Sequence, residues 1–365
     1  MDLADVPENA KVFNPFAGLA SFATHLKKDV NYIGQEILNT TWALGKLRLI
    51  VQQRNNTVDY YNGNSINEWP IEEGFDLVVA NPPFNMKIDR YITDYDYNRT
   101  IMTAEQYVLK KGLESVNSEG KVICVASQST LFKGGAERRY RKKLIEIGQI
   151  DTVISLPGGL LKHTGVSICI IILSKKIKKN NLIQFIDGES FLVNAGKKNK
   201  CLDNDRLLKY IRSAQNDEFV KQVHAKKIAE NDYNLSVQRY FVDGFEGTEL
   251  SKISKVLKGE RAKDVKLGDF IGTSSLKEEF DFESKLDFYQ VMMDDRLKSS
   301  RKISESCILV SRQWKLLKPT YFEFKKTPIY IGREIVALKV DESQVNVDFL
   351  INELKSEAVH KQLNL

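Results

Sequence analysis

An α/β doubly wound sheet followed by a smaller α+β domain is the fold class that this sequence predicts, on three observations. Short apolar runs alternate with amphipathic stretches up to about residue 190, the pattern of strands joined by helices. Beyond about residue 248 the texture changes to strand-like runs without regular helices between them. The chain has 365 residues, 42% apolar and 28% charged, a length for two domains at roughly 150 residues each and the composition of an ordered globular protein.

In chain order, Lys11-Val-Phe13 reads as a short strand, 18–27 as a helix and 30–34 as a strand. Residues 38–53 carry Trp42, Leu44, Leu47, Ile50 and Val51 at helical spacing. Residues 75–80 (Phe-Asp-Leu-Val-Val-Ala) are a buried strand. A helix is expected at 104–116, a strand at 121–126, a basic helix at 136–147, and strands at 150–156, 166–174 and 183–186. Residues 203–229 read as one helix, and 231–241 show no period. Residues 243–248 (Asp-Gly-Phe-Glu-Gly-Thr) are the expected linker, giving domains at 1–242 and 248–365. The second is expected to hold strands at 269–272, 306–311 and 330–340 and a helix at 349–363.

Composition narrows the function classes. With 54 Lys+Arg against 48 Asp+Glu the chain carries +6, which permits nucleic-acid binding without demonstrating it. No apolar run approaches the ~18 residues that span a bilayer, and no secretory signal opens the chain. Cys124, Cys169, Cys201 and Cys307 share no CxxC spacing and pair with no histidine. They read as reduced thiols of a cytoplasmic protein without a structural metal or a membrane partner.

Two motifs carry chemistry. Asn81-Pro82-Pro83-Phe84 directly follows the strand at 75–80, where an open α/β sheet presents ligands. Its prolines lack N–H groups and stiffen the loop. Asn81 offers a side-chain carbonyl, Pro82 a main-chain carbonyl and Phe84 a flat apolar face, a set suited to a planar exocyclic amine. Upstream, Asn14-Pro15-Phe16-Ala17-Gly18 lies between a strand and a helix, where glycine lets a ligand approach the backbone. Glu36 follows Gly18 by eighteen residues, close to the ~20-residue spacing of an acid that binds ribose hydroxyls. A G-x-G-x-x-G fingerprint is absent, which argues against a dinucleotide. Asn62-Gly63-Asn64-Ser65 either borders an adenine ring or is a plain turn. The run Arg138-Arg-Tyr-Arg-Lys-Lys143 either faces phosphate or is a solvated helix face, and Lys197-Lys-Asn-Lys200 has the same ambiguity.

These residues, in this order, resemble the amino-group DNA methyltransferases that use S-adenosylmethionine, and most of all the modification subunits of type I restriction–modification systems. Gly34-Gln-Glu36, Gly135-Ala-Glu137, Asp151-Thr-Val-Ile-Ser-Leu-Pro157-Gly-Gly, Thr164-Gly165-Val and Ile228-Ala-Glu-Asn-Asp-Tyr233-Asn-Leu are similar to that family's text over roughly residues 11–241. The resemblance implies a Rossmann-like methyltransferase sheet and methyl transfer to N6 of a flipped adenine. It implies that Asn14, Phe16, Gly18 and Glu36 line the cofactor pocket, that Asn64 or Ser65 borders the cofactor adenine, and that Asn81, Pro82, Pro83 and Phe84 form the catalytic loop. Double-stranded DNA and the specificity and restriction subunits are the implied partners.

The chain departs from the pattern where Asn14 replaces an aspartate, Ala20 a glycine and Asn64 an acid. The family's N-terminal helical part, with the segment that closes over the cofactor, is expected to be missing. Residues 248–365 resemble, less specifically, a target-recognition domain ending early. The cues are Asp264-Val-Lys-Leu-Gly-Asp-Phe-Ile271, Cys307-Ile-Leu-Val-Ser-Arg312, Ile335-Val-Ala-Leu-Lys-Val-Asp341 and Val347-Asp-Phe-Leu-Ile-Asn-Glu-Leu354. Arg312, Gln313, Trp314 and Lys315 are either groove-reaching residues or an ordinary surface loop. Competing readings are a catalytically incomplete DNA-binding or assembly module, and an amino-methyltransferase acting on RNA or protein glutamine.

Overall fold

The structure is a computed structural model. It describes residues 6–27, 29–53, 58–70, 74–88, 103–161, 165–178, 180–194, 200–213, 215–241, 247–262, 268–276, 297–312, 317–356 and 359. The expected linker residues 243–246, most of the 197–200 loop, Thr164, residues 264–267, Gln313, Trp314 and Lys315 lie outside them. The chain divides into two compact units, Met1–Val242 and Asp243–Leu365.

The first unit holds strands β1 (Lys11–Asn14), β2 (Asn31–Glu36), β3 (Val58–Asn62), β4 (Phe75–Ala80), β5 (Val116–Ser127), β6 (Ile150–Leu156), β7 (Ile168–Ser174), β8 (Leu182–Asp187), β9 (Leu192–Asn194), β10 (Lys200–Leu202) and β11 (Val220–His224). Its helices are α1 (Ser21–Thr24), α2 (Asn39–Val51), α3 (Ala104–Ser115), α4 (Ser129–Phe132), α5 (Ala136–Glu146), α6 (Asn204–Ser213) and α7 (Ala225–Glu230). Nine strands form one sheet in the order β11-β8-β6-β7-β5-β4-β1-β2-β3, and β9 and β10 make a separate pair. Strands β1 to β5 run parallel, as do β6 and β8, whereas β7 is antiparallel to β5 and β6, and β11 to β8.

Apolar side chains on successive strand residues enter opposite faces, so both sides must be covered. Along β1, Phe13 joins a cluster with Val78, Val108, Leu113 and Phe185, while Val12 joins one with Leu49, Leu77 and Val79. The sequence therefore predicted the α/β class correctly, but several elements differ. Strand β3 went unrecognised because only Val58 and Tyr60 point inward from it. Helix α1 is a single turn, since the chain enters it through a left-handed Ala20. The expected helix over 203–229 is instead α6, β11 and α7. Asp217 Oδ1 accepts from the N–H groups of Phe219 and Val220, both at 2.7 Å, ending the helical path. Val220 and Val223 then pair with Ile186 and Ile183 of β8. Periodicity located α2 but not its orientation: Gly45 and Leu49 face the core, while Leu44, Leu47, Ile50 and Val51 point out, 51–80% exposed.

The second unit holds α8 (Leu250–Ile253), β12 (Ser254–Leu257), β13 (Glu260–Arg261), β14 (Asp269–Ile271), β15 (Arg301–Ile303), β16 (Cys307–Ser311), β17 (Thr320–Phe322), β18 (Ile329–Ile331), β19 (Ile335–Val340) and α9 (Val347–Lys355). Its strands form two four-stranded sheets, β12-β19-β16-β17 and β13-β15-β18-β14. Leu309, Phe322, Ile329, Ile331 and Ala337 make one core between them, and Ile308, Val310 and Leu338 make another with Leu350, Ile351 and Leu354 of α9. The single strand expected over 330–340 is two strands, β18 and β19, broken at Gly332. Helix α9 starts at Val347 because Asn346 Oδ1 caps the N–H groups of Asp348 and Phe349. Among the described residues no helix is long and apolar enough to cross a membrane.

Candidate functional site

The large sheet reverses its winding between β1 and β4: the chain proceeds outward from β1 to β2 and β3, and the other way from β4 to β5. Ligands of open α/β sheets bind in the crevice at the carboxyl ends of the strands at such a switch point. Asn14 ends β1, Glu36 ends β2, and Asn81 follows the last residue of β4. Both sequence motifs therefore lie on this edge.

Asn14, expected at the cofactor pocket, turns its side chain into the sheet. It is 0% exposed. Its Nδ2 donates to the carbonyls of Val79 (2.6 Å) and Pro15 (3.0 Å), and its Oδ1 accepts from the Tyr32 hydroxyl (2.7 Å). Asn14 thus braces β1 against β4 and β2 beneath the crevice.

The turn after β1 is tightly coiled, with Phe16, Gly18 and Ala20 all left-handed at φ 57°, 57° and 54°. Glycine adopts that conformation without steric cost; the others do not. A Cβ placed on Gly18 meets nothing within 4 Å among the described residues, so this backbone is open to approach. The Gly18 N–H donates to Glu36 Oε2 (3.0 Å), and its carbonyl accepts from the Tyr60 hydroxyl. Glu36 Oε1 accepts from the Leu38 N–H (2.8 Å). One carboxylate, 8% exposed, therefore orients both the turn after β1 and the start of α2. Burial, and then the Glu36 charge, raises the Tyr60 hydroxyl, which keeps it a neutral donor.

The 62–65 segment is tied to the same edge. Asn62 Nδ2 and the Gly63 N–H donate to the Glu36 carbonyl at 2.9 and 3.1 Å. Asn64 Oδ1 is committed to the Ile66 N–H (3.0 Å). Ser65 is buried, and its carbonyl accepts from Tyr107 (3.3 Å).

In the loop after β4, Asn81 and Pro83 are exposed, Pro82 is buried and Phe84 is half-buried. Phe84 packs against the cluster of Ile154, Leu156, Ile168 and Phe191, so part of its ring is already committed to the protein. Phe16, Ile66 and Met86 all pack against one buried cluster, Ile88, Ala104 and Tyr107. The turn after β1, the 62–66 segment and the loop after β4 consequently converge on the start of α3. Sequence reasoning missed the α3 residues that hold them together. The available signal was Glu105, a charge on the same helical stripe as Leu109, Gly112 and Val116.

The basic run of α5 is not the free phosphate-facing stripe that its charge suggests. Arg141 is buried and donates to the carbonyls of Thr130 (3.1 Å), Lys133 (2.9 Å) and Tyr233 (3.1 Å). Burial pulls its guanidinium down to about 10, still charged at neutral pH. Arg138 pairs with Asp232 and, with Lys142, lies over the Tyr233 ring. These residues fasten the 232–233 turn to α5. Arg139 and Lys143 are exposed.

The family model described as N-6 DNA Methylase matches residues 2–247. The chain belongs to this family. A type I restriction enzyme MpnII methylase subunit from Mycoplasma pneumoniae is 28% identical over 286 residues, covering 69% of this chain and 51% of that protein. The MjaVIII methylase subunit from Methanocaldococcus jannaschii is 28% identical over 261 residues, 62% of this chain and 44% of that one. The chain thus spans about half the length of these curated relatives. Among solved structures, the type I restriction–modification methyltransferase subunit from Streptococcus thermophilus superposes with a TM-score of 0.60 at 27% identity, covering 66% of this chain and 57% of that one. The switch-point crevice of the N-6 DNA methylase sheet is therefore the candidate active site.

Proposed function

We propose that this chain is the catalytic part of a type I DNA methyltransferase that methylates N6 of a flipped adenine, with S-adenosylmethionine as donor. The observation that carries the reading is the convergence of the Gly18–Glu36 turn pair and the Asn81–Phe84 loop at one switch point. The residues present fit the donor. Gly18 leaves its backbone open, and the Glu36 carboxylate keeps acceptor capacity beyond its two N–H partners. Gly18 and Glu36 would hold it, with Asn64 and Ser65 at the border of its adenine.

S-adenosylmethionine, when bound, supplies a methyl group carried on a sulfonium. The adenine N6 amine is a poor nucleophile because its lone pair is delocalised into the ring. The Asn81 side-chain carbonyl and the Pro82 main-chain carbonyl accept the two amine hydrogens and turn the lone pair out of the ring plane. Positioning and preorganised acceptors supply most of the rate. Extruding the base costs a few kcal/mol, which stacking on the free part of Phe84 offsets by about 1–3 kcal/mol.

The second unit is proposed to read the DNA sequence, and the specificity and restriction subunits are proposed partners, on the resemblance of residues 248–365 and the relatives' names. Charge does not carry this part, since those residues hold 21 Lys+Arg and 19 Asp+Glu. Protein incubated with duplex DNA and methyl-labelled donor should label adenine N6, and Asn81→Ala should abolish labelling while donor affinity stays within about threefold. Label in RNA or protein glutamine instead, or none from wild-type protein supplied with its partner subunits, overturns the reading.

A further inference from the structure

The two prolines that stiffen residues 81–84 also deprive the loop of backbone donors to anchor it. Its exit is fixed one residue later. Asn85 stands in the left-handed region (φ 54°), and its N–H donates to Glu105 Oε1 at 2.8 Å. The Asn85 side chain is held as well: its Nδ2 donates to Ser127 Oγ (3.1 Å), and its Oδ1 accepts from Ser129 Oγ (3.0 Å). Ser127 Oγ in turn donates to Glu105 Oε1 (3.3 Å). Glu105 is 0% exposed, and its Oε2 has no hydrogen-bond partner among the described residues. A buried carboxylate with an idle oxygen costs stability and calls for an explanation. Its place in the first turn of α3, behind the Thr103–Gln106 capping box, lets the helix dipole offset part of that cost.

We infer that Glu105 is a positioning residue. Through the Asn85 N–H and the Ser127 hydroxyl it sets the conformation of the loop and hence the direction of the Asn81 and Pro82 carbonyls. The inference rests on reading residues 81–84 as the catalytic loop, but the anchoring itself is measurable without activity. Glu105→Ala removes the acceptor. Glu105→Gln keeps one amide oxygen in place, so it separates the hydrogen bond from the charge.

The test is hydrogen exchange of the full chain over residues 84–88, together with steady-state methylation of a randomised-sequence duplex. In Glu105→Ala, exchange at 84–88 should rise at least about tenfold without a matching rise elsewhere in 6–241. Turnover should fall at least about thirtyfold, with the KM for S-adenosylmethionine within about threefold. Glu105→Gln should restore both the loop protection and most of the turnover. Unchanged exchange at 84–88 in Glu105→Ala overturns the inference, as does a uniform rise across the unit or a Gln variant that behaves like Ala. If wild-type protein transfers no methyl group, the proposed activity fails by itself, and the exchange data still decide the role of Glu105.

Discussion

At the residue scale, the crevice depends on a few polar side chains whose atoms are already spoken for. Asn14 donates to two carbonyls and accepts from a hydroxyl, all in the interior. Asn14→Asp sets a carboxylate against two carbonyl oxygens. It should lower stability by about 2–3 kcal/mol, read as a lower urea midpoint at unchanged m-value, even though the resemblance places an aspartate here in the family. Gly18 has space for a methyl group but not the conformation. Gly18→Ala should cost about 1–2 kcal/mol of stability from the left-handed backbone. It should also weaken S-adenosylmethionine binding in calorimetry, because its Cβ projects into the open side of the turn. The spacing of Gly18 and Glu36 was legible in sequence, and so was the loop after β4. The burial of Asn14 was not, because its partner Val79 lies 65 residues away and nothing local announces the contact.

Among the elements, α5 shows how charge misleads when read along the chain alone. Five positive residues in six positions suggest a nucleic-acid stripe, yet Arg141 is an internal bracket for three carbonyls. Arg141→Ala should cost about 3 kcal/mol, since it leaves buried carbonyls unpaired. Arg139→Ala and Lys143→Ala should change the melting temperature little. If those two meet phosphate, each should reduce the salt slope of DNA binding by about one, measured by titration at several salt concentrations. The turn after β8 contributes a pH dependence. Partial desolvation of this surface residue, and then the neighbouring Asp187 charge, raises the Glu189 carboxyl from its ordinary value. The folded state then holds its proton to higher pH than the unfolded chain does. Stability from this group is present below the ordinary range and is lost as pH rises through the raised value. Glu189→Gln should therefore raise the thermal midpoint more at pH 7 than at pH 4, as followed by calorimetry.

At the scale of the whole molecule, two units with separate cores suggest a division of labour. The proposed donor site and the loop lie within Met1–Val242. Under the proposed function, replacing residues 247–365 with the corresponding part of a relative should change which sequence is methylated and leave donor affinity within about threefold. Methylation mapping and calorimetry check the two halves of that expectation. An unchanged methylated sequence argues against a reading role for the second unit.

The sequence by itself determined the α/β class, the strand that leads into Asn81-Pro82-Pro83-Phe84, and the Gly18–Glu36 spacing. Each is encoded in short-range pattern: apolar runs, proline stiffness, and a turn-to-acid spacing set by one β-α-β connection. Only the tertiary structure decided which face of α2 is buried, that 203–229 breaks to add β11 to the sheet edge, that Arg141 is internal, and that Glu105 lies under the loop. Those outcomes depend on contacts between residues distant in sequence. The Glu105 carboxylate meets the Asn85 N–H across 20 residues, and Arg141 meets the Tyr233 carbonyl across 92. Packing against such partners outweighs local propensity because propensities differ by only about 1 kcal/mol per residue, less than the cost of one buried polar group left unpaired.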